Sequence, residues 1–132
     1  MAVFGVIAAA LGVVGLVSPD TMISGMGFDP VPAAERADND GTLTFITASS
    51  MAAVNMGAYY VLAAMADWKA FFLWTVPFRL LTFTVFTVAV VTGRAPSGFL
   101  GVGIWEGVGA VLTGLALAWE RRRRTGTAPA SA

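Results

Sequence analysis

The chain has 132 residues and no net charge at pH 7; 57% of its residues are hydrophobic and 12% are charged. That charged fraction is about half the roughly 25% of soluble domains, so it excludes a soluble domain of this size, which exposes much of its surface. The sequence contains neither histidine nor cysteine. These absences exclude thiol nucleophiles, His-ligated haem and the usual zinc sites, so we expect no metal and no cofactor.

Four apolar segments divide the chain, at 1–17, 42–66, 70–92 and 98–119. A transmembrane helix needs about 20 mostly apolar residues, so the last three qualify and the first is at the short limit. Residues 1–17 lack the basic start and the cleavage site of a secretory signal, and we expect this segment to be retained as the first helix. The sequence therefore predicts an all-α fold, a four-helix antiparallel transmembrane bundle.

The long connection between the first two segments predicts a further, short helix. Ser18 can cap it, Pro19 suits its first position, and Asp20 favours the positive end of the helix dipole. Its apolar side would be formed by Met22, Ile23, Met26 and Phe28. We expect this helix to lie in the headgroup region after helix one, followed by an acidic loop.

Short turns at 67–69 and 93–97 join the last three segments. Turns of this length make consecutive helices antiparallel neighbours. We therefore assign residues 1–120 to a four-helix transmembrane domain. Residues 121–132, four arginines followed by "TGTAPASA", are predicted to form a basic, disordered cytoplasmic tail.

The basic residues predict the orientation. With four spans, Lys69 and Arg121–Arg124 lie on the side of both termini, and Arg36 and Arg94 lie on the other side. Since cytoplasmic loops are enriched in lysine and arginine, we expect a multi-pass protein of the cell (plasma) membrane with both termini in the cytoplasm. Its predicted partners are membrane lipids, with a larger membrane protein complex or a homo-oligomer left open, and no nucleic acid, which would require a basic face.

Arg79 lies within the apolar stretch "TVPFRLLTFTV". A central arginine costs about 2.5–3.5 kcal/mol on insertion, and each Leu, Phe, Val or Ile offsets about 0.3–0.6 kcal/mol. The helix still inserts, but its arginine needs a partner. At about 1.5 Å per residue, Arg79, Glu106 and Asn55 lie roughly 14, 20 and 16 Å from the cytoplasmic ends of their helices. They share one level near the midplane.

Ionisable residues within spans usually face the bundle interior and pair. We therefore hypothesise a buried Arg79–Glu106 pair with Asn55 as a hydrogen-bonding neighbour. The full candidate cluster, for ligand binding or for structure, is Arg79, Glu106, Asn55, Tyr59, Thr75 and Thr82. Two roles remain open for it. The pair either locks helix register, or it forms a polar floor for a ligand headgroup or a proton-coupled site.

Small residues recur on two of the predicted helices, namely Gly5, Ala8, Gly12 and Gly15 on the first and Gly103, Gly107 and Gly114 on the last. Small residues allow helix backbones to approach closely. Gly103 and Gly107 form a GxxxG pattern that suits either packing within the bundle or a dimer. Packing within the bundle is favoured, because a four-helix bundle needs such contacts.

The first span ending "GLVSPDTMISGMGFDP", the acidic loop, the turn "GRAP" and the last span with "WEG" together resemble small four-helix membrane families of unknown function. These families are DoxX-like in the broad sense. The resemblance implies a compact four-helix bundle with no established common activity. DoxX itself is similar to a partner subunit of membrane oxidoreductases, but no cofactor motif in this chain carries that role over.

Three function classes remain. The favoured one is a membrane module without catalytic activity, either an accessory or scaffold subunit or a binder of a lipid-like or quinone-like ligand between helices. The alternative is an oligomeric small-molecule transporter built around Glu106 and Arg79. The third is an intramembrane isomerase-type enzyme with Glu106 as acid or base. That enzyme would need a second proton-handling group, and without histidine only Tyr59 and Tyr60 are available.

Overall fold

The structure is a computed structural model that describes residues 1–126, with side chains up to Arg123. It contains five α-helices: α1 (Ala2–Val17), α2 (Pro19–Gly25), α3 (Thr42–Met65), α4 (Lys69–Val91) and α5 (Phe99–Gly126). A single 3-10 turn, Ala33–Glu35, lies between α2 and α3. No strand occurs among the described residues, and the predicted all-α class is confirmed.

Three helices, α3, α4 and α5, are long and apolar enough to cross a membrane. Helix α1 has 16 residues, or about 24 Å, which is less than the roughly 30 Å of a hydrocarbon core. Together with α2 it reaches the required length, but the two helices meet at a bend of 120°. The fold therefore has three candidate spans, or four if the bent pair is one span.

The distribution of buried residues is the reverse of that in a water-soluble protein. The buried hydrophobic residues are Ile23, Tyr60, Ala63 and Ala110, and the buried polar ones are Ser50, Thr75, Arg79 and Thr113. By contrast, large apolar side chains cover the outside, and Val17 and Val91 are each 80% exposed. Such extensive apolar exposure suits contact with lipid rather than water.

The helices associate as two antiparallel pairs, α1 with α3 and α4 with α5, and contacts between the pairs are few. Glycines bring α1 and α3 together. A Cβ added at Gly12 would lie 2.6 Å from the Ser50 carbonyl oxygen, and one at Gly57 would lie 2.5 Å from the Gly5 carbonyl oxygen. Because any side chain at these positions would meet backbone, the seam requires glycine.

The α4–α5 pair uses the GxxxG pattern. A Cβ at Gly103 would lie 3.5 Å from Phe86, and one at Gly107 would lie 3.2 Å from Phe83. Both glycines therefore pack against α4, as favoured from the sequence, and are not available for a dimer seam. Gly114 differs, since a Cβ there would meet nothing within 4 Å.

Helix α2 folds back across one end of the helices. Ile23 is buried, and the Phe28 and Phe99 rings meet edge-on with centroids 6.0 Å apart. Gly27, at φ 87°, ends this short helix in the left-handed region that glycine tolerates. Ser18 precedes α2 as predicted, but its hydroxyl lies 2.7 Å from the Thr21 hydroxyl and does not cap a backbone amide.

Helix α3 begins beside the acidic loop. The Asp40 carboxylate accepts hydrogen bonds from the backbone N–H of Thr42, at 2.9 Å, and from its hydroxyl, at 2.5 Å. These two bonds, the hydroxyl first, lower the pKa of Asp40 because they favour its charged form. The carboxylate therefore satisfies a backbone donor at the start of α3.

Helix α5 is longer than the predicted span, which ends at residue 119. It continues to Gly126, so residues 121–126 of the predicted disordered tail are helical, and residues 127–132 lie outside the described residues. Arginine is a strong helix former, which explains the extension. In addition, the Arg123 guanidinium lies 3.7 Å from the centroid of the Trp119 ring, a cation–π contact one turn apart.

Candidate functional site

Arg79 lies where the two helix pairs meet. The residue is 3% exposed, although it is carried by an apolar helix. Its Nε lies 3.5 Å from Glu106 Oε2 on α5 and donates a hydrogen bond of 3.3 Å to the Tyr60 hydroxyl on α3. The structure thus places the two ionisable members of the predicted cluster side by side, and it adds a tyrosine from the other pair.

Aromatic rings enclose the rest of the guanidinium. Its central carbon lies 4.7 Å from the Phe4 ring centroid and 4.9 Å from that of Tyr60. The Phe4 ring in turn packs against Trp105 at a centroid distance of 4.4 Å. Cation–π contacts are strongest where the cation is shielded from water, as it is here. Side chains of α1, α3 and α5 therefore all converge on one cation of α4.

One donor of this arginine is unsatisfied. Nη1 is buried, and no atom in the described part of the chain accepts a hydrogen bond from it. Gly109 provides the space for this nitrogen, because a Cβ there would overlap it. Leaving a charged donor buried without a partner costs at least about 1–3 kcal/mol, so such an atom calls for an explanation. An acceptor oxygen on a bound molecule would satisfy this donor and remove that cost.

A cavity of about 460 Å³ lies between the helix pairs. This central cleft is lined by α1, by the α3–α4 turn and by α5, and it includes the Phe4 ring and Thr113. Phe4 contacts the guanidinium directly, and Thr113 lies one helical turn from Gly109. Phe4 is therefore shared by the cleft and the cation, whereas Arg79 itself does not line the cleft.

The mouth of the central cleft is polar. Lys69 lies there between two carboxylates: it pairs with Glu120 on α5, and its Nζ is 3.5 Å from Asp67 Oδ2. Asp67 forms the turn between α3 and α4 and has a φ of 47°. The walls below are apolar and include Phe72, Leu112 and Leu117. The cleft thus has a charged rim and apolar walls, with the aromatic ring of Phe4 between it and the buried cation.

Asn55 and Tyr59 do not join this site, contrary to the hypothesis. Both are exposed, and Tyr59 is 54% exposed. Each is two residues from the buried Gly57, a rotation of about 200° along a helix, which turns them to the opposite face of α3. Tyr60, next in sequence to Tyr59, is the tyrosine that reaches Arg79.

Thr75 and Thr82 lie on the Arg79 side of α4, but their hydroxyls bond within their own helix. Thr75, which is buried, donates to the Phe72 carbonyl at 2.8 Å, and Thr82 donates to the Phe78 carbonyl at 3.0 Å. Bonding of this kind is the ordinary way in which a threonine hydroxyl is satisfied in an apolar helix. The structure therefore brings together Arg79 and Glu106 but gives neither threonine a hydrogen bond to them.

The candidate cluster predicted from the sequence left out Phe4, Tyr60 and Gly109, although Tyr60 was considered as a proton-handling group. Two of them carried a usable signal. Tyr60 is three residues from Gly57, on the small-residue face of α3, and Gly109 is three residues from Glu106. Phe4 carried none, since one aromatic residue in an apolar helix does not differ in pattern from its neighbours.

Among the residues that the structure describes, no group of acidic, histidine or cysteine side chains could hold a metal ion. Comparison of the chain with protein-family models, with curated proteins and with solved structures finds no match. The resemblance to DoxX-like families therefore stays an expectation, and the case for a function depends on the geometry of the central cleft and Arg79.

Proposed function

We propose that this chain is a small integral membrane protein that crosses the bilayer four times and binds a lipid-like or quinone-like ligand in the central cleft. The close glycine contacts between α1 and α3 support α1 as the fourth span, because they pack α1 antiparallel against the middle of α3. The mouth of the cleft then lies at the cytoplasmic surface, because Lys69 and Arg121–Arg123 lie at that end.

The observation that carries this proposal is the buried, unpartnered Nη1 of Arg79. A ligand in the central cleft would reach this nitrogen only past the Phe4 ring, and it must offer an acceptor oxygen. Glu106 already balances the charge of the arginine, so a neutral acceptor fits best, such as a quinone or ester carbonyl. The apolar body of the ligand would lie between Phe72 and Leu117, and any polar end would remain at the rim.

Filling the central cleft should expel this ligand. Ala116 lines the cleft, whereas Ala118, two residues further along the same helix, lines only a neighbouring groove between α4 and α5. We expect native mass spectrometry of the full chain, extracted in mild detergent, to show a bound small molecule on the wild type and on Ala118→Leu. Ala116→Leu should lower its occupancy by at least about fivefold, because the leucine occupies the cleft.

If the wild type carries no bound molecule, the proposal is contradicted. Equal occupancy in the two leucine variants would also contradict it, because the ligand would then lie elsewhere. A molecule lost from Ala118→Leu alone would be assigned to the neighbouring groove.

A second candidate function, an accessory subunit, is favoured by the outer face of α3. That face exposes Asn55 and Tyr59 at mid-span, where lipid offers no hydrogen-bond partner. Polar side chains in such positions hydrogen-bond across helix–helix interfaces. In this reading α3 docks against a transmembrane helix of a larger complex or of a second copy.

Asn55→Leu should weaken that association by at least about threefold, since one interhelical hydrogen bond in a membrane contributes about 0.6–2 kcal/mol. The measurement is the fraction of chain bound to its partner, by native mass spectrometry at fixed detergent concentration. Thr84→Val is the matched control, because Thr84 is also exposed but donates to the Leu80 carbonyl of its own helix. A wild type that is entirely monomeric and alone would rule this candidate out.

A further inference from the structure

A second cavity lies between α4 and α5 and is adjacent to the central cleft, since Leu117 lines both. This outer groove measures about 590 Å³ and is formed by Trp74 and Pro77 of α4 and by Gly114 and Ala118 of α5. Gly114 leaves part of this space empty, because a side chain there would project into it: a Cβ at this position meets no atom within 4 Å. Its walls along this length are apolar and face the surroundings of the protein.

Two arginines border the outer groove at one end. Arg121 and Arg122 line it, and Arg121 lies about 10 Å along the axis of α5 from Gly114. The groove therefore combines a cationic end with an apolar length.

A smaller cavity of about 280 Å³ runs beside the outer groove. The two share Leu73, Leu117 and Arg121, and the smaller cavity is also lined by Lys69 and the acidic Glu120. The smaller cavity therefore does not extend the apolar length of the outer groove. The outer groove by itself matches an apolar chain joined to an anionic head.

We propose that the outer groove binds an anionic phospholipid, with one acyl chain along Pro77 and Gly114 and its phosphate at Arg121 and Arg122. Basic pockets between transmembrane helices at the cytoplasmic side bind anionic headgroups in this way. A zwitterionic lipid would gain less, because its cationic group opposes the arginines. The site rests on the membrane location proposed above and not on the ligand of the central cleft.

The test is a titration of the full chain in mild detergent with phosphatidylglycerol and with phosphatidylcholine of identical acyl chains, followed by native mass spectrometry. We expect the first phosphatidylglycerol to bind the wild type about tenfold more tightly than the first phosphatidylcholine. Arg121→Gln combined with Arg122→Gln should weaken phosphatidylglycerol binding by about fivefold for each arginine and abolish the preference. Arg94→Gln, at the opposite end of the helices, should retain it.

Gly114→Leu tests the groove itself and should weaken phosphatidylglycerol binding about tenfold. Gly101→Leu is the matched control, since a Cβ at Gly101 on the same helix also meets nothing within 4 Å. Ala118→Leu fills the same groove and provides the test again if Gly114→Leu does not fold. Each of three results would overturn the proposal: a wild type that shows no lipid preference, a preference that persists without the two arginines, or two glycine variants that bind phosphatidylglycerol equally. Gly114→Leu should leave the cleft ligand in place, which separates the two sites.

Discussion

Replacing Glu106 alone with leucine should destabilise the protein by about 3–5 kcal/mol, and replacing Arg79 as well should restore most of that loss. Removing one partner of a buried pair leaves an uncompensated charge, whereas removing both leaves an apolar contact. Arg79 is 3% exposed and cannot lose its proton in a protein. Arg79→Leu alone should be milder, because the Glu106 side chain is 22% exposed and a carboxylate can become neutral by accepting a proton.

Thermal unfolding of the single and double variants in one detergent measures this effect. Glu120→Leu is a suitable control, since its partner Lys69 is 32% exposed and Glu120 itself is 40% exposed. Pairs with this exposure contribute about 0–1 kcal/mol. If the double variant is no more stable than Glu106→Leu, the arginine and the carboxylate do not act as a pair.

Gly57→Ala should also be strongly destabilising, although it adds a single methyl group. A Cβ at this position would lie 2.5 Å from the Gly5 carbonyl oxygen and 2.7 Å from the backbone nitrogen of Ala9. Overpacking typically costs about 1–3 kcal/mol, and we expect the upper end because backbone atoms cannot rotate away as a side chain can. Helices α1 and α3 would have to separate along their shared length.

The control for this prediction is Gly101→Ala. A Cβ at Gly101 meets nothing within 4 Å, so the substitution should be neutral or stabilise the helix by up to about 1 kcal/mol. Both proteins would be compared by thermal unfolding in the same detergent. Equal melting temperatures would show that the α1–α3 seam is not as close as the structure has it.

The positions of α3 and α4 could be predicted to within a few residues, because a run of about 20 apolar residues between polar turns leaves few alternatives. The same reasoning ended α5 too early. Hydropathy detects where an apolar segment stops, whereas the helix itself continues through arginines that have high helix propensity.

The depth of the site residues in the membrane could be predicted from the sequence, but the direction in which each side chain points could not. The rise per residue placed Arg79, Glu106 and Asn55 at one level, yet only the first two face each other. Direction around a helix depends on which face packs, and on α3 that face is marked by its small residues. A prediction that started from Gly57 would have selected Tyr60 rather than Tyr59.

The arrangement in two pairs was also not predictable from the connections. The short turn at 67–69 makes α3 and α4 neighbours in sequence, but it constrains only their ends. Bulky rings lie between these helices, such as Tyr60 and Phe71, whose centroids are 5.6 Å apart. By contrast, α1 and α3 are separated by a long loop and still approach closely, because glycine allows it.

This uneven packing determines how the molecule can open. The glycine-lined contacts within each pair resist sliding, while the join between the pairs is made by side chains that can change rotamer. The α3–α4 turn joins the pairs at the mouth, so we expect them to part along their length, by rotamer changes and without unwinding any turn of helix. In the proposed ligand-binding function, a molecule wider than the resting cleft would enter sideways from the surrounding lipid and leave by the same motion.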